Sequence, residues 1–174
     1  MNLDLFERLL SAVFQRNPVA AEALLPGLPR ELAESRLQSA QIVGQVGAIL
    51  DIYAWRNGSR TDQDQTLSEL SLFPGSIYVF MGLETALSHR TELLESVTMF
   101  PHVPTSTERL FPMFWDNGIS YLAVDFGNPN NPVSIVDPES PDFLRPAYAC
   151  FEAFLTDALR ANHEDETLEC FRLF

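Results

Sequence analysis

Four acidic side chains fall within one stretch of the chain that also carries strong β-strand signals. Asp116 lies in the predicted turn before one strand, Asp125 lies near the end of that strand, and Asp137 and Glu139 follow the next strand. Paired carboxylates can catalyse glycoside hydrolysis or ligate a divalent cation. No further member of a catalytic constellation accompanies them, and acids at such positions more commonly form turns or lie in solvent. The sequence therefore assigns no catalytic residue and leaves these four acids as candidates for partner contacts.

Two tryptophans are further candidates for a functional role. Trp55 and Trp115 each follow an apolar run and precede a polar turn. In the core, each indole N–H would donate to a backbone acceptor, which is the more common arrangement for an aromatic residue. At the surface, an exposed tryptophan beside a turn would be a typical anchor for a protein partner. Both alternatives stay open for both residues.

A third group of candidates lies between residues 59 and 75. The segment is polar at first and ends on Phe73-Pro74-Gly75, which predicts a surface loop that leads into a turn. Asp62, Asp64 and Glu69 lie on this loop and are candidates for contacts to a basic partner, although acids on such a loop are more often only solvated.

The cysteines and histidines do not predict a metal centre. Cys150 and Cys170 have no CxxC spacing, and His89, His102 and His163 lie in different segments. A structural zinc site is not expected, and a disulfide would be unusual in a reducing cytoplasm. We expect Cys150 to be a packed thiol, because the sequence places no base beside it. No cofactor is predicted.

The charge balance indicates the class of partner. The chain contains eleven basic residues, all of them arginine, and twenty-four acidic residues, which gives a formal net charge of −13. Binding to nucleic acid or to an anionic membrane is not expected, because both depend on cationic patches. A basic protein partner fits this charge. The alternative is that the charge serves solubility alone.

The length and hydropathy predict a single domain. A chain of 174 residues is long enough for one buried core and short for two. No apolar run reaches the roughly 20 residues that span a bilayer, and the acidic N-terminus is unlike a signal peptide. We expect a cytoplasmic protein with N-terminal helices over residues 1–56, a sheet with covering helices over 57–161, and a short acidic tail over 162–174. Within this tail, the acidic run from His163 to Glu166 is expected to fray.

The spacing of apolar residues predicts the helices. Asn17-Pro18 is a typical N-cap with proline in the first turn. Gly44 and Gly47 fall inside one predicted helix, where we expect them to allow close approach of a neighbouring element. The predicted helices are residues 3–16, 18 to about 25, 29 to about 38, 42 to about 55, 83 to about 97, and one that begins near Phe151.

The β-strand signals predict a meander. Arms at 110–115 and 119–126 flank Asp116-Asn117-Gly118, a sequence that tolerates the positive φ angles of a tight hairpin turn. A third strand at 133–136 follows the turn after Phe126, and a short strand is predicted at 76–81. The predicted elements, in chain order, are helices, a strand, a helix, three strands and a helix. This order predicts an α+β fold with a mostly antiparallel sheet flanked by helices.

The predicted helices, strands and turns, in their order along the chain, resemble the SUKH superfamily. This superfamily groups the yeast cell-wall assembly regulator with bacterial toxin-immunity proteins. The likeness covers roughly residues 28–159. One departure is Cys150, where the family often has serine before the last helix. The matching pieces are Ile52-Tyr53-Ala54-Trp55-Arg56-Asn57-Gly58, Phe73-Pro74-Gly75, the strand 76–81, the helix from Leu83, the proline-containing strand 110–115, Tyr121-Leu122-Ala123-Val124-Asp125, residues 133–139, and Phe151-Glu152-Ala153-Phe154-Leu155.

The resemblance implies an α+β fold, no catalytic centre, and work done by binding protein partners. Together with the net charge of −13, it predicts a non-enzymatic immunity protein that neutralises a basic toxin domain of the nuclease or deaminase type through an acidic surface. One alternative is a scaffold or regulatory adaptor in a housekeeping process. A second is a hydrolase that uses Asp116 and Asp125.

Overall fold

The computed structural model of the protein describes residues 3–61, 64–99, 103–118 and 120–171. Within these ranges, no helix is both long enough and apolar enough to cross a bilayer. The helices are α1 (Leu3–Arg16), α2 (Pro18–Ala23), α3 (Arg30–Ser39), α4 (Gly47–Trp55), α5 (Leu67–Leu70), α6 (Leu83–Met99) and α7 (Phe151–Glu164), with 3-10 helices at Thr105–Arg109 and Glu169–Phe171.

Five antiparallel strands form the main sheet in the order β3-β4-β5-β6-β7. The order in space equals the order in the chain, so the predicted meander and the α+β class are confirmed. The strands are β3 (Val79–Phe80), β4 (Leu110–Trp115), β5 (Tyr121–Asp125), β6 (Val133–Val136) and β7 (Leu144–Tyr148).

A bulge in β4 decides which aromatic rings share a face of the sheet. Phe111 lies opposite Val124 and Phe114 lies opposite Leu122, with a register shift between them near Pro112. Residues directly opposite across two strands point to the same face. Without the extra residue, Phe111 and Phe114 would point to opposite faces, because side chains alternate along a strand.

Helices cover both faces of this sheet. On one face, Phe114 lies 5.7 Å from Phe154 of α7, and Phe111 lies 6.1 Å from Tyr53 of α4, measured between ring centroids. On the other face, α6 packs on β4 and β5. The four strand positions 121–124 are therefore all buried, although a half-exposed strand would bury only every second one.

A second, two-stranded sheet was not predicted. β1 (Leu24–Pro26) pairs with β2 (Arg56–Ser59) in the antiparallel sense. Where β1 lies, the sequence predicted the end of a helix. Where β2 lies, it predicted a helix stop followed by a loop. The helix stop is close to correct, since α4 ends at Trp55. Asn57 of β2 also accepts a hydrogen bond from the Leu83 N–H at 2.9 Å, and so caps α6 from a distant part of the chain.

The predicted start of α4 was wrong. The helix begins at Gly47, and residues 42–46 form a loop that packs on the turn after β5. Gly44 has a φ of +129°, and a Cβ at this position would lie 3.0 Å from the Phe126 carbonyl oxygen, so the expected close approach occurs outside the helix. The expectation was wrong for Gly47, whose Cβ would meet no atom within 4 Å.

Three other segments differ from prediction. The strand predicted at 76–81 is reduced to β3, α5 lies in the predicted loop, and β7 was not predicted. The acidic run that was expected to fray is ordered, because His163 and Glu164 end α7, and Arg160 pairs with Glu164 at 2.7 Å and with Glu166 at 2.9 Å. Beyond it, Leu168 and Cys170 are buried, and the Phe171 ring stacks on Tyr78 at 5.3 Å. At the other end of α7, the Cys150 sulfur accepts from the Ala153 N–H at 3.4 Å and caps the helix in place of serine.

Candidate protein-binding face

The meander topology brings four of the predicted site residues to one end of the sheet. Trp115 ends β4 opposite Tyr121, which in turn pairs with Val136 at the end of β6. The turns that follow β4 and β6 therefore lie at the same end, two strands apart. We call this end the turn face and define it by Trp115, Asp116, Asp137 and Glu139.

Trp115 is the aromatic member of the turn face. Its side chain is half-buried, its ring lies 4.7 Å from the His89 ring of α6, and its Nε1–H donates to the Gly118 carbonyl oxygen at 2.9 Å. Its backbone pairs with Val79 of β3. The indole is therefore held in one orientation while part of its surface remains exposed, as is typical of an interface anchor.

Two acids of the turn face, Asp116 and Asp137, are fixed by their own turns. One Asp116 carboxylate oxygen accepts the N–H groups of Gly118 at 2.8 Å and Ser120 at 3.2 Å. Asp137 accepts the Glu139 N–H at 3.1 Å, and Glu139 itself is exposed. Such short-range bonds stabilise turns and hold the carboxylates of Asp116 and Asp137 in defined positions.

His89 is a member of this region that the sequence did not predict. Its Nδ1 lies 3.1 Å from a Glu92 carboxylate oxygen and 3.3 Å from the Tyr121 hydroxyl. Burial raises the pKa of Tyr121 to about 12, with further contributions from the charges of Glu92 and Asp116. A single histidine on a helix gives no sequence signal of these contacts, because Tyr121 is 32 residues away in the chain.

Asp125 lies at the opposite end of the sheet. It is paired with Arg109 at 3.6 Å and accepts the Gly127 N–H at 2.8 Å. Since β5 separates it from the turn that contains Asp116, the backbones of the two residues are about 13 Å or more apart at 3.3 Å per residue. Glycosidase carboxylates lie about 5–9.5 Å apart, so the structure does not bring together the pair that the hydrolase hypothesis needs.

Trp55 belongs to the core. Only 6% of it is exposed, and its ring stacks on Phe6 of α1 at 5.0 Å. The Arg56 guanidinium lies over the same ring at 5.5 Å. Its buried Nε1 has no hydrogen-bond partner among the described residues, so the expected backbone acceptor is found for Trp115 and not for Trp55.

The acids of the polar loop are separate from the turn face. Asp62 lies outside the described residues. Glu69 forms a capping box with Thr66 at the start of α5, and hydrogen bonds from Thr66 lower its pKa. Asp64 is exposed and precedes Gln65, which lines the same cavity as Trp115.

The acidic charge is concentrated toward the C-terminal part of the chain. Residues 137–171 contain nine acids against Arg145 and Arg160, a net charge of −7 out of −13. Across the described part of the chain, no three His, Cys, Asp or Glu side chains come together in a way that could hold a metal ion.

Comparison with known proteins adds no family assignment. No protein-family model matches the chain, and the search of curated proteins found no match.

Proposed function

We propose that the chain is a non-enzymatic protein-binding domain that acts in the bacterial cytoplasm as an immunity protein of the SUKH type. In this proposal its turn face covers the active surface of a cognate toxin. The observation that carries it is the placement of a fixed, half-exposed Trp115 among the carboxylates of Asp116, Asp137 and Glu139 at one end of the sheet. An aromatic anchor with a charged rim is the usual composition of a binding hot spot.

The charge of this face supports a basic partner, such as a toxin domain of the nuclease or deaminase type. Fixed carboxylates attract a cationic surface, speed association and disfavour acidic partners. Exposed charges are screened beyond about 8 Å at physiological salt. Association should therefore slow as the salt concentration rises, whereas the contribution of the Trp115 ring should change little.

The test is co-expression with any toxin domain that is encoded beside this gene. Trp115→Ala should weaken binding by about 30-fold or more, the effect of losing a hot-spot contact worth about 2 kcal/mol. The double variant Asp137→Asn, Glu139→Gln should lower the association rate and flatten its salt dependence. Asp125→Asn is the matched control, because Asp125 lies at the opposite end of the sheet and should leave binding unchanged.

Two outcomes would overturn the proposal. In the first, the chain neither binds an adjacent toxin nor protects cells from it. In the second, Asp125→Asn impairs protection while Trp115→Ala, folded as judged by circular dichroism, does not. A gene far from any toxin locus, together with a growth defect on deletion, would favour the scaffold or adaptor alternative.

A further inference from the structure

A cavity lies at the end of the sheet opposite the turn face, between helix α6 and the loop before α4. Its volume is about 510 Å³, within the range of about 300–1,000 Å³ that is typical of small-molecule sites. The chain after β5 closes one side, where the Phe126 N–H donates to the Arg109 carbonyl oxygen at 2.9 Å. Of the described residues that line this cavity, none belongs to the turn face.

Two arginines line this cavity together. The Arg90 guanidinium lies over the Phe126 ring at 5.6 Å, and its Nη2 donates to the Glu108 carbonyl oxygen at 2.8 Å, which holds it in a defined orientation. The side chain of Arg109 is 54% exposed and pairs only loosely with Asp125, at 3.6 Å. A carboxylate is a good ligand for such groups, because the planar guanidinium presents N–H donors that match its two oxygens.

Partial burial of Arg90 increases what an anion would contribute there. Loss of hydration lowers the pKa of this half-buried arginine, although the nearby charge of Glu108 acts to raise it. A charge that has lost part of its water interacts more strongly with an opposite charge than a fully solvated one does. The cavity therefore favours a ligand that brings a carboxylate to Arg90.

An acidic side chain in the same lining favours a positive group on the ligand as well. Glu108 is exposed and lines the cavity beside Arg109. A simple anion would approach this carboxylate, and it would do so in the field of a chain with a formal net charge of −13. A zwitterion has no net charge, so it avoids the long-range repulsion while each of its two charged groups finds an opposite charge in the lining.

The remaining wall is apolar. Phe126 is buried and Leu94 is half-buried, whereas 69% of Val43 is exposed. Covering exposed aliphatic surface with an apolar group is favourable in proportion to the area removed from water. This wall therefore favours a zwitterion with an apolar body over a purely polar one.

We propose that this cavity binds a small zwitterion with an apolar body, of the class of a branched or aromatic α-amino acid or a dipeptide of such residues. The ligand carboxylate accepts hydrogen bonds from the guanidinium groups of Arg90 and Arg109, and the ligand ammonium pairs with the Glu108 carboxylate. The apolar side chain of the ligand covers Val43 and Leu94. This function is separate from toxin binding, because the two sites lie at opposite ends of the sheet.

The probes are L-phenylalanine and the dipeptide leucyl-phenylalanine, titrated into the full chain by calorimetry. The N-acetyl form of each probe lacks the ammonium, the C-terminal amide lacks the carboxylate, and glycine lacks the apolar body. We expect saturable binding of at least one probe, with its N-acetyl form, its amide and glycine each bound at least about fivefold more weakly. In NMR spectra, the methyl signals of Val43 and Leu94 should shift, whereas the Trp115 indole N–H should not.

Substitutions of two exposed side chains separate the charged contacts. Arg109→Gln should weaken a probe and its N-acetyl form alike, by about threefold or more, because both carry the carboxylate. Glu108→Gln should weaken the probe but not its N-acetyl form, because only the probe carries the ammonium. The difference in affinity between the two forms should therefore largely disappear in Glu108→Gln.

Arg8→Gln is the matched control for the loss of an exposed arginine. Arg8 lies on α1, pairs with Asp4 at 3.8 Å, and is not among the described residues that line the cavity. Its substitution should leave the affinity for each probe unchanged. Since Glu108 and Arg109 lie outside the turn face, their variants should retain toxin protection, so this proposal and the immunity function can fail separately.

Three results would overturn the proposal. The first is that neither L-phenylalanine nor leucyl-phenylalanine binds saturably. The second is that the N-acetyl form or the amide of a probe binds as tightly as the probe itself, or that Glu108→Gln weakens the probe and its N-acetyl form equally. The third is that binding shifts the Trp115 indole N–H and leaves the signals of Val43 and Leu94 unchanged, which would place the ligand at the turn face instead.

Discussion

The Tyr148 hydroxyl on β7 donates a hydrogen bond of 2.6 Å to the Asp157 carboxylate on α7. The same carboxylate accepts from Arg160 and from the Glu169 N–H, both at 2.8 Å, although only 7% of Asp157 is exposed. Burial acts to raise the pKa of Asp157, but these hydrogen bonds outweigh it and the pKa is lowered. One buried carboxylate thereby joins the last strand, the last helix and the C-terminal 3-10 helix.

We expect Asp157 to make stability dependent on pH. Because its pKa is lower in the folded than in the unfolded chain, its contribution is complete above the unfolded-state value of about 3.9 and is lost as the pH falls through the folded-state value. Asp157→Asn should therefore reduce the free energy of unfolding by about 1–3 kcal/mol near neutral pH. The difference in the free energy of unfolding between Asp157→Asn and the wild type should become smaller at acidic pH.

Urea unfolding between neutral and acidic pH measures this gap. Glu152→Gln, an exposed position on the same helix, is the control and should have little effect. A gap for Asp157→Asn that stays constant as the pH is lowered would contradict the assignment.

The four tyrosines should not titrate as free tyrosine does. Burial is the largest cause that raises the pKa of each of them, namely Tyr53, Tyr78, Tyr121 and Tyr148. Since the folded-state values lie above the unfolded value of about 10, stability is retained below pH 10 and lost as the pH rises further. Absorbance of tyrosinate should therefore appear together with the loss of circular dichroism. Ionisation of two or more tyrosines near pH 10 in the folded protein would contradict this prediction.

Two glycines should respond oppositely to substitution by alanine. Gly58 has a φ of +80°, and a Cβ there would lie 2.2 Å from the Gly82 nitrogen, so Gly58→Ala combines backbone strain with a backbone clash. We expect a loss of more than about 1 kcal/mol in the free energy of unfolding. Gly47 starts α4 with open space around its Cα, so Gly47→Ala should stabilise the protein by up to about 1 kcal/mol. Denaturant titration of both variants compares them directly. A change of the same sign in the free energy of unfolding of both variants would be inconsistent with these local geometries.

Asn131 should contribute strongly to stability although it lies in a turn. It has a φ of +46°, is 9% exposed, and its amide donates to the carbonyl oxygens of Gln45, Asp125 and Asn128. Asn131→Ala removes these three part-buried hydrogen bonds and should cost about 1–3 kcal/mol. The exposed Asn130→Ala is the control, and thermal unfolding measures both. Similar midpoints for the two variants would show that the bond to Gln45 has little effect.

Elements with a local signal were predicted well. The helix α1, the Asn17 cap of α2 and the strand β6 are confirmed, and the hairpin around Asp116-Asn117-Gly118 forms as expected, although its second strand begins at Tyr121 and Ile119 lies outside the described residues. Apolar periodicity, caps and turn residues act over a few positions, so they can be recognised without knowledge of the rest of the fold. The acidic character and the α+β class likewise follow from the sequence alone.

Tertiary contacts decided what local patterns left open. The loop before α4 is not helical because the Gln45 N–H bonds to the Phe126 carbonyl oxygen, 81 positions further along the chain. Trp55 and Trp115 have the same kind of local sequence, yet α1 covers the first with Phe6, whereas the second lies at the end of the sheet and stays partly exposed. Burial depends on which distant elements pack at a position. The sequence therefore determined the charge and the elements that have local signals, and only the packed structure determined the remaining strands and which residues form a face.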